Sequence, residues 1–499
     1  MRIDERSRPW WTLAGTCAGL FLLMLDSTVV ALALPVMHRD LHASNAALQW
    51  VLNGYLLVVT VTVVTAGRLG DMFGRRRIFL AGMLIFAAGS VLSAVAPTDE
   101  ALVAGRLVQG LGAAPMLVLS LAIVSDAFPA SDQARALGIW AGVSALALAI
   151  GPLVGGALIG IDWRLIFWIN LPISALGIAI VIIAARESRD PGAGDRIDYP
   201  GLAALSFGLT AFVLALIEAD DWGWGDPRTL GLLGAGVAVL GLFWVVEHRV
   251  RDPLVDFALF RNGPFFGASA AAFSLVGSYW GVMFFQPQLL QDVEGHSALI
   301  SGALILPVTA PMIVLSPLAG RLIARFGARA LMTTGMLCGV AGLLVLTQVK
   351  PDSPYVLLLG GFLLFGVALG FVYAPMSTAA MAAMPREKAG IASGVLGMTR
   401  VMAGSVALAA AGAVFYALQA DRLTELENQG VSKSIATGDA FAYGVANATW
   451  ILVGLTAIGA VLTWAFVRDP ETAGPKPEVA GDPAPGELQH HHHHRRFHL

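Results

Sequence analysis

The chain has little charge. Of its 499 residues, 13% are Asp, Glu, Lys or Arg, against roughly 25% in soluble globular proteins. With 57% hydrophobic residues and a mean hydropathy of +0.73, this shortfall excludes a string of soluble domains, although the length alone would suit about three of them. Cysteine is almost missing. Cys17 and Cys338 lie far apart in apolar runs and read as core thiols rather than a disulfide or a metal site. A net charge of −3 supplies no basic field for nucleic acid. No GxxxxGK[ST] loop occurs, so ATP drive is not encoded in this chain. Nor is there an HExxH motif, a Cys/His set or a long polar domain to support a membrane enzyme or sensor. No cofactor or metal is expected.

What the chain has in abundance is apolar sequence. A membrane-spanning helix needs about 20 mostly apolar residues. Fourteen candidates lie near 10–35, 46–66, 77–96, 100–124, 137–159, 164–185, 199–218, 229–247, 264–286, 298–319, 330–349, 355–376, 389–418 and 441–467. The N-terminus "MRIDERSRPWW" is basic, but the run behind it is long enough to span and carries no small-residue cleavage site, so it reads as a first membrane helix. An even number of spans puts both termini on one side. Most of the 31 Lys and Arg fall on that side. Only Arg39, Arg164, Arg228, Lys350, Arg422 and Lys433 fall on the other, and Arg106 and Arg400 lie inside spans. By the positive-inside rule both termini are expected in the cytoplasm of a multi-pass plasma-membrane protein.

A weak repeat divides the chain. "GRLGDMFGRRR" (67–77) follows the second span and "GRLIARFGARA" (320–330) the tenth, both as basic, Gly-bounded turns. Two similar halves are expected, as in many transporters. The expected organisation is an N-terminal segment 1–9, a six-helix bundle 10–185, a linker 186–263 with two inserted helices, a second six-helix bundle 264–467, and a disordered tail 468–499. The "HHHHH" run (490–494) reads as a possible tag. The fold class expected is all-α and polytopic.

The turn 67–77 is the most specific signal. Gly67, Gly70 and Gly74 allow a tight turn, while Arg68, Asp71 and Arg75–Arg77 place both signs of charge at the membrane surface. It resembles the signature loop of the major facilitator superfamily. Other segments resemble that superfamily in order: "RLVQGLGAA" (106–114) its fourth-helix motif with a membrane arginine, Arg106, and "GVSALALAIGPLVGGAL" (142–158) its antiporter motif, with Gly142, Gly151, Pro152, Gly155 and Gly156. "LDSTVVALALP" (25–35), "DWRLIFWINLP" (162–172) and "GIASGVLGMTRVMAGS" (390–405) resemble first-, sixth- and thirteenth-helix motifs of its fourteen-helix drug:proton antiporters. Ala31 stands where that first-helix motif usually has Asn. The resemblance covers roughly 10–467. It implies two six-helix bundles plus two inserted helices, working by alternating access. It also implies that Asp71 pairs across the halves when the inner gate is shut, with Arg135 and the start of the thirteenth helix near Gly390 as partners. The Gly-Pro run is read either as close helix packing or as a coupling element with a bend. Arg75–Arg77 alone would also serve as topology determinants.

Asp26 is the least comfortable residue in the first span, since a carboxylate at membrane depth costs at least ~2.5–3.5 kcal/mol. It lies nine residues before Pro35, or ~13 Å. Arg106 lies eight residues past Thr98, or ~12 Å. If both counts start at the outer surface, the two charges share a depth. In the superfamily fold their helices both line the central cavity, so an Asp26–Arg106 pair is available. It is read either as a structural ion pair or as the proton-coupling site. Arg400 would lie ~18 Å into the thirteenth helix. Glu218 reads as a solvated interfacial acid or a second proton site. Gln49, Asn53, Tyr55, Met116, Tyr279, Trp280, Phe284, Gln288, Tyr373 and Met376 are candidate cavity residues, though Trp and Tyr near helix ends also anchor at the interface. Aromatics and Met suit bulky amphiphilic or cationic compounds. The expected function is proton-coupled export of drug-like compounds by a monomer in the lipid bilayer, powered by the proton gradient. Export of a native metabolite, peptide or lipid is the alternative.

Overall fold

In the computed structural model, which describes residues 4–189, 198–250, 253–351, 353–384 and 389–468, 14 stretches of helix are long and apolar enough to cross a membrane. The helices are α1 (Arg8–Leu41), α2 (Asn45–Phe73), α3 (Arg75–Ala94), α4 (Asp99–Ala127), α5 (Ala130–Ile159), α6 (Leu165–Trp168), α7 (Asn170–Ala184), α8 (Tyr199–Trp222), α9 (Pro227–Glu247), α10 (Gly263–Gln288), α11 (Ala298–Thr309), α12 (Pro311–Phe326), α13 (Ala328–Leu346), α14 (Tyr355–Ala382), α15 (Ala389–Asn428) and α16 (Lys433–Phe466). Side-chain caps start many of them: Ser44, Thr98, Asp198, Asp226, Asn262 and Ser297 each accept a hydrogen bond from a backbone N–H of the first turn.

Some boundaries differ from expectation. α1 does not end at Pro35 but runs on to Leu41, because packing against neighbouring helices lets membrane helices carry an internal proline. The distance from Asp26 to the end of its helix is therefore about 22 Å at 1.5 Å per residue, not the shorter figure counted from Pro35. α15 and α16 project beyond the expected spans, to Asn428 and from Lys433, where Arg422 bridges Glu425 and Asp439 at 2.8 and 3.3 Å. The sixth and tenth spans are each interrupted, at Ile169 and at Ala310. The tail with its His run and the turn 385–388 lie outside the described residues.

α1–α7 form one bundle and α10–α16 another, while the α8–α9 hairpin sits against the seam. Leu209, Val213, Leu216 and Ile217 of α8 share an apolar cluster with Leu57 of α2 and Ala409 of α15, so the inserted pair touches both bundles. α9 shows Leu230, Val237, Leu242 and Trp244 outward, as a lipid-facing helix does. Within each bundle glycines let backbones approach: a Cβ on Gly112 would meet the backbone of Phe86, and one on Gly342 that of Gly361 and Phe365. The two repeat turns share a shape. Phe73–Gly74 and Phe326–Gly327 each end a helix with glycine at positive φ, 115° and 82°, and the next helix begins at once.

The bundles press closely together at one end. At the face opposite the termini, a Cβ on Gly156 of α5 would lie 2.7 Å from the Ala298 carbonyl oxygen and from Leu299 Cα of α11. Gly302 presses on the Pro152 carbonyl, and Gly412 of α15 on Gln49 of α2. Gln291 donates to the Leu32 carbonyl at 2.9 Å, and Arg39 stands 4.0 Å from Asp292. Just beyond, burial raises the Glu294 carboxyl above its ordinary value against the pull of His296. Among the described residues, every hydrogen bond and ion pair between the bundles is at this end. Toward the face bearing the termini and the arginine-rich turns, Gly138 and Gly142 of α5, Gly320 of α12, and Gly394 and Gly397 of α15 look into open space. The structure is open toward that basic face.

Candidate functional site

Asp26, in the middle of α1, and Arg106, two turns into α4, are 2% and 0% exposed. Arg106 Nη1 donates to Asp26 Oδ2 at 2.6 Å and to Gln109 Oε1 at 2.6 Å, while its Nε donates to the Val51 carbonyl of α2 at 3.0 Å. The guanidinium lies 4.3 Å over the Tyr55 ring. The other Asp26 oxygen accepts from Gln109 Nε2 at 2.9 Å and Asn170 Nδ2 at 3.4 Å, and both amides also donate to Ser90 Oγ at 3.1 Å. Charge-assisted bonds of this length are the strong ones. They make a buried carboxylate tolerable by giving both its oxygens donors. Arg106 Nη2, Asn170 Oδ1 and both side-chain polar atoms of Asn53 remain unpartnered, so the network has spare hydrogen-bonding capacity.

Gln109, Ser90 and Asn170 were not singled out in the sequence. One signal pointed at Gln109: it follows Arg106 by three residues, on the same helix face. Asn170 opens α7 at the interruption of the sixth span, and only its polarity inside an apolar stretch marks it.

The 67–77 turn is tied into its own bundle. Asp71 accepts from Arg75 at 2.9 Å, and Arg75 reaches Asp126 of α4 at 2.6 Å. Arg76 N–H donates to Glu187 at 3.0 Å, and Arg77 stands 3.6 Å from the same carboxylate. Nothing in the sequence marks Glu187 and Asp126 as partners of this turn. The Asp71–Arg135 pairing is expected of a shut inner gate; here Asp71 bonds to Arg75 of its own turn and Arg135 lies 5.0 Å over the Trp10 ring. Arg68 carries an unpartnered Nη2. Gly67 has only ordinary contact with Val118, whereas Gly74 is favoured by its positive φ of 115°.

The Gly-Pro helix divides by position. Gly151 and Gly155 receive Thr28 and Val29 of α1, while Pro152 and Gly156 receive α11 across the bundle boundary. Gly142 faces open space. The cavity candidates also divide. Gln49 is buried 1% exposed between α2 and α15. Met116 is buried against Gly19 of α1, and Phe284 and Met376 are fully buried. Gln288 is buried and spends its amide on the Phe284 carbonyl at 2.7 Å. Tyr279, Trp280, Tyr373 and Arg400 gather in the second bundle: Tyr279 and Trp280 are T-shaped at 6.0 Å, and Arg400 lies 5.5 Å over Tyr373. Glu218 is half-buried near the far end of α8.

Two helical bundles parted at one face, with a polar core in the first, define a multi-pass transporter rather than an enzyme. A family model of the Major Facilitator Superfamily matches residues 16–408, and the chain belongs to that family. It is 36% identical over 408 residues to the tetracenomycin C resistance and export protein of Streptomyces glaucescens, covering 82% of this chain and 76% of that one. It is 33% identical over 470 residues to the puromycin resistance protein pur8 of Streptomyces alboniger, covering 92% of each. Among solved structures, a bacterial homologue of the human lysosomal transporter Spinster is similar in fold. There the TM-score is 0.64, the identity 17%, and the coverage 93% of this chain and 98% of that one.

Proposed function

We propose that the protein exports drug-like amphiphilic compounds from the cytoplasm in exchange for protons, by alternating access of its two bundles. The basic face is the cytoplasmic one, with both termini inside the plasma membrane, so the state described is open inward. The observation that carries the coupling is the buried Asp26 carboxylate, held by Arg106, Gln109 and Asn170. In this reading a change in the contact between Asp26 and Arg106 between the two states of the cycle is what loads and releases the proton. Resistance and export are what the related proteins are named for, which supports the direction and the substrate range. When the inner face shuts, Asp71 meets Arg135 and the start of α15. A helix N-terminus favours a nearby anion by ~0.3–1 kcal/mol, enough for a reversible latch.

Inverted vesicles test this. An imposed gradient, acid inside, should drive uptake of a fluorescent drug-like substrate, and a protonophore should abolish it. Uptake unaffected by the gradient for every compound in a broad panel would sink the exchange.

A further inference from the structure

Arg400 is a charge without a counter-charge. It lies eleven residues into α15, about 17 Å along the helix, at a depth where an arginine is costly unless paired. Among the described residues its one side-chain hydrogen bond runs from Nη2 to Ser377 Oγ of α14 at 2.9 Å, and its Nε is buried with no partner. Among the described residues no acidic side chain comes within ion-pair reach of it. Arg106, by contrast, already has Asp26.

Aromatic and hydroxyl groups surround this cation. Tyr373 lies beneath the guanidinium at 5.5 Å, and Tyr279 sits on α10, which packs against both α14 and α15. Tyr279 is 6% exposed, and its phenol oxygen has no partner. Trp280 stands T-shaped to Tyr279 and packs on Gly404, one turn beyond Arg400. One turn before, Gly397 opens onto empty space on the inward-open side. A buried phenol donor, an unsatisfied guanidinium N–H and a hydroxyl therefore lie on three mutually packed helices beside aromatic faces. All can donate, and no anion balances the charge.

We infer that this cluster binds the anionic oxygen of the exported compound, so that the preferred substrates are aromatic amphiphiles carrying a carboxylate or an acidic phenol, rather than lipophilic cations. A carboxylate matches the planar guanidinium and accepts from Tyr279, while a ring attached to it stacks on Tyr373 or Trp280. A cation at the same place would meet Arg400 with nothing to offset the repulsion. The inference takes the direction of travel from the export reading, and the two fit: an inside-negative potential drives an anion outward and a proton inward alike.

Equilibrium binding separates this from the transport claim, because it needs no gradient. The full-length protein in phosphatidylcholine nanodiscs would be titrated with three matched probes, 2-naphthoate, 2-naphthylmethanol and 2-naphthylmethylammonium, with empty nanodiscs subtracted. Naphthoate should bind about tenfold or more tighter than the ammonium probe. Arg400→Gln should bring naphthoate down to the level of the alcohol and leave the alcohol unchanged, while Arg400→Lys keeps most of the preference. Should Arg400→Gln not fold, Tyr279→Phe decides in its place by weakening naphthoate alone. Equal or weaker binding of naphthoate, no saturable naphthoate binding, or a preference untouched in Arg400→Gln or in its substitute overturns the inference. Gradient-driven flux without an anion preference would leave export standing and this site rejected. Anion preference without flux would do the reverse.

Discussion

Asp26 and Arg106 tolerate burial because neither depends on the other alone. Arg106 also donates to the Val51 carbonyl and to Gln109, and Asp26 also accepts from Gln109 and Asn170. Removing one member of a buried ion pair typically costs about 3–5 kcal/mol, whereas replacing both with apolar groups is often near neutral. Arg106→Met should therefore lower thermal stability in detergent markedly, and Asp26→Leu added to it should restore much of the loss. A double variant no more stable than Arg106→Met would show that the charges are not a coupled pair. The pair was legible in the sequence because charge is so scarce: two ionisable residues inside apolar runs stand out. Gln109, Ser90 and Asn170 were not, because neutral polar residues recur along membrane helices without a period that says which of them converge.

At the scale of helices, the closed end depends on α5. Gly156 admits the backbone of α11, and Pro152 presents its carbonyl to Gly302, so small residues here seal one face of the protein. The two readings of the Gly-Pro motif in the sequence, packing and coupling, meet in this contact, since packing across the bundle boundary is what the cycle must break. A Cβ at Gly156 would strike backbone, which cannot swing aside, and such overpacking costs about 1–3 kcal/mol. Gly156→Val should bias the protein against the inward-open state. In a background lacking Cys17 and Cys338, a cysteine placed by Gly397→Cys should then react more slowly with a membrane-impermeant maleimide supplied at the basic face. Unchanged labelling together with normal export would remove α5 from the gate. The helix count was readable from apolar length, but the ends were less so. Pro35 reads as a stop and is not one, because helix continuity is decided by neighbours that the local sequence does not name. The extensions of α15 and α16 hide in a polar stretch that hydropathy treats as a loop.

For the molecule as a whole, charge asymmetry and an even span count imply two bundles with both termini on one side, and motif order implies the family. The state of the cycle was beyond the sequence. Asp71 bonds to Arg75 rather than across the halves because the bundles are parted at that face, and one sequence encodes both arrangements. The central claim is that export runs on protons carried by Asp26. Its most direct test compares the wild type with Asp26→Asn in inverted vesicles, measuring uptake driven by a pH gradient and, with no gradient, exchange of labelled for unlabelled substrate. Asn keeps an oxygen for Arg106, so the account predicts that exchange persists while gradient-driven uptake is lost. Gradient-driven uptake that survives in Asp26→Asn would contradict it.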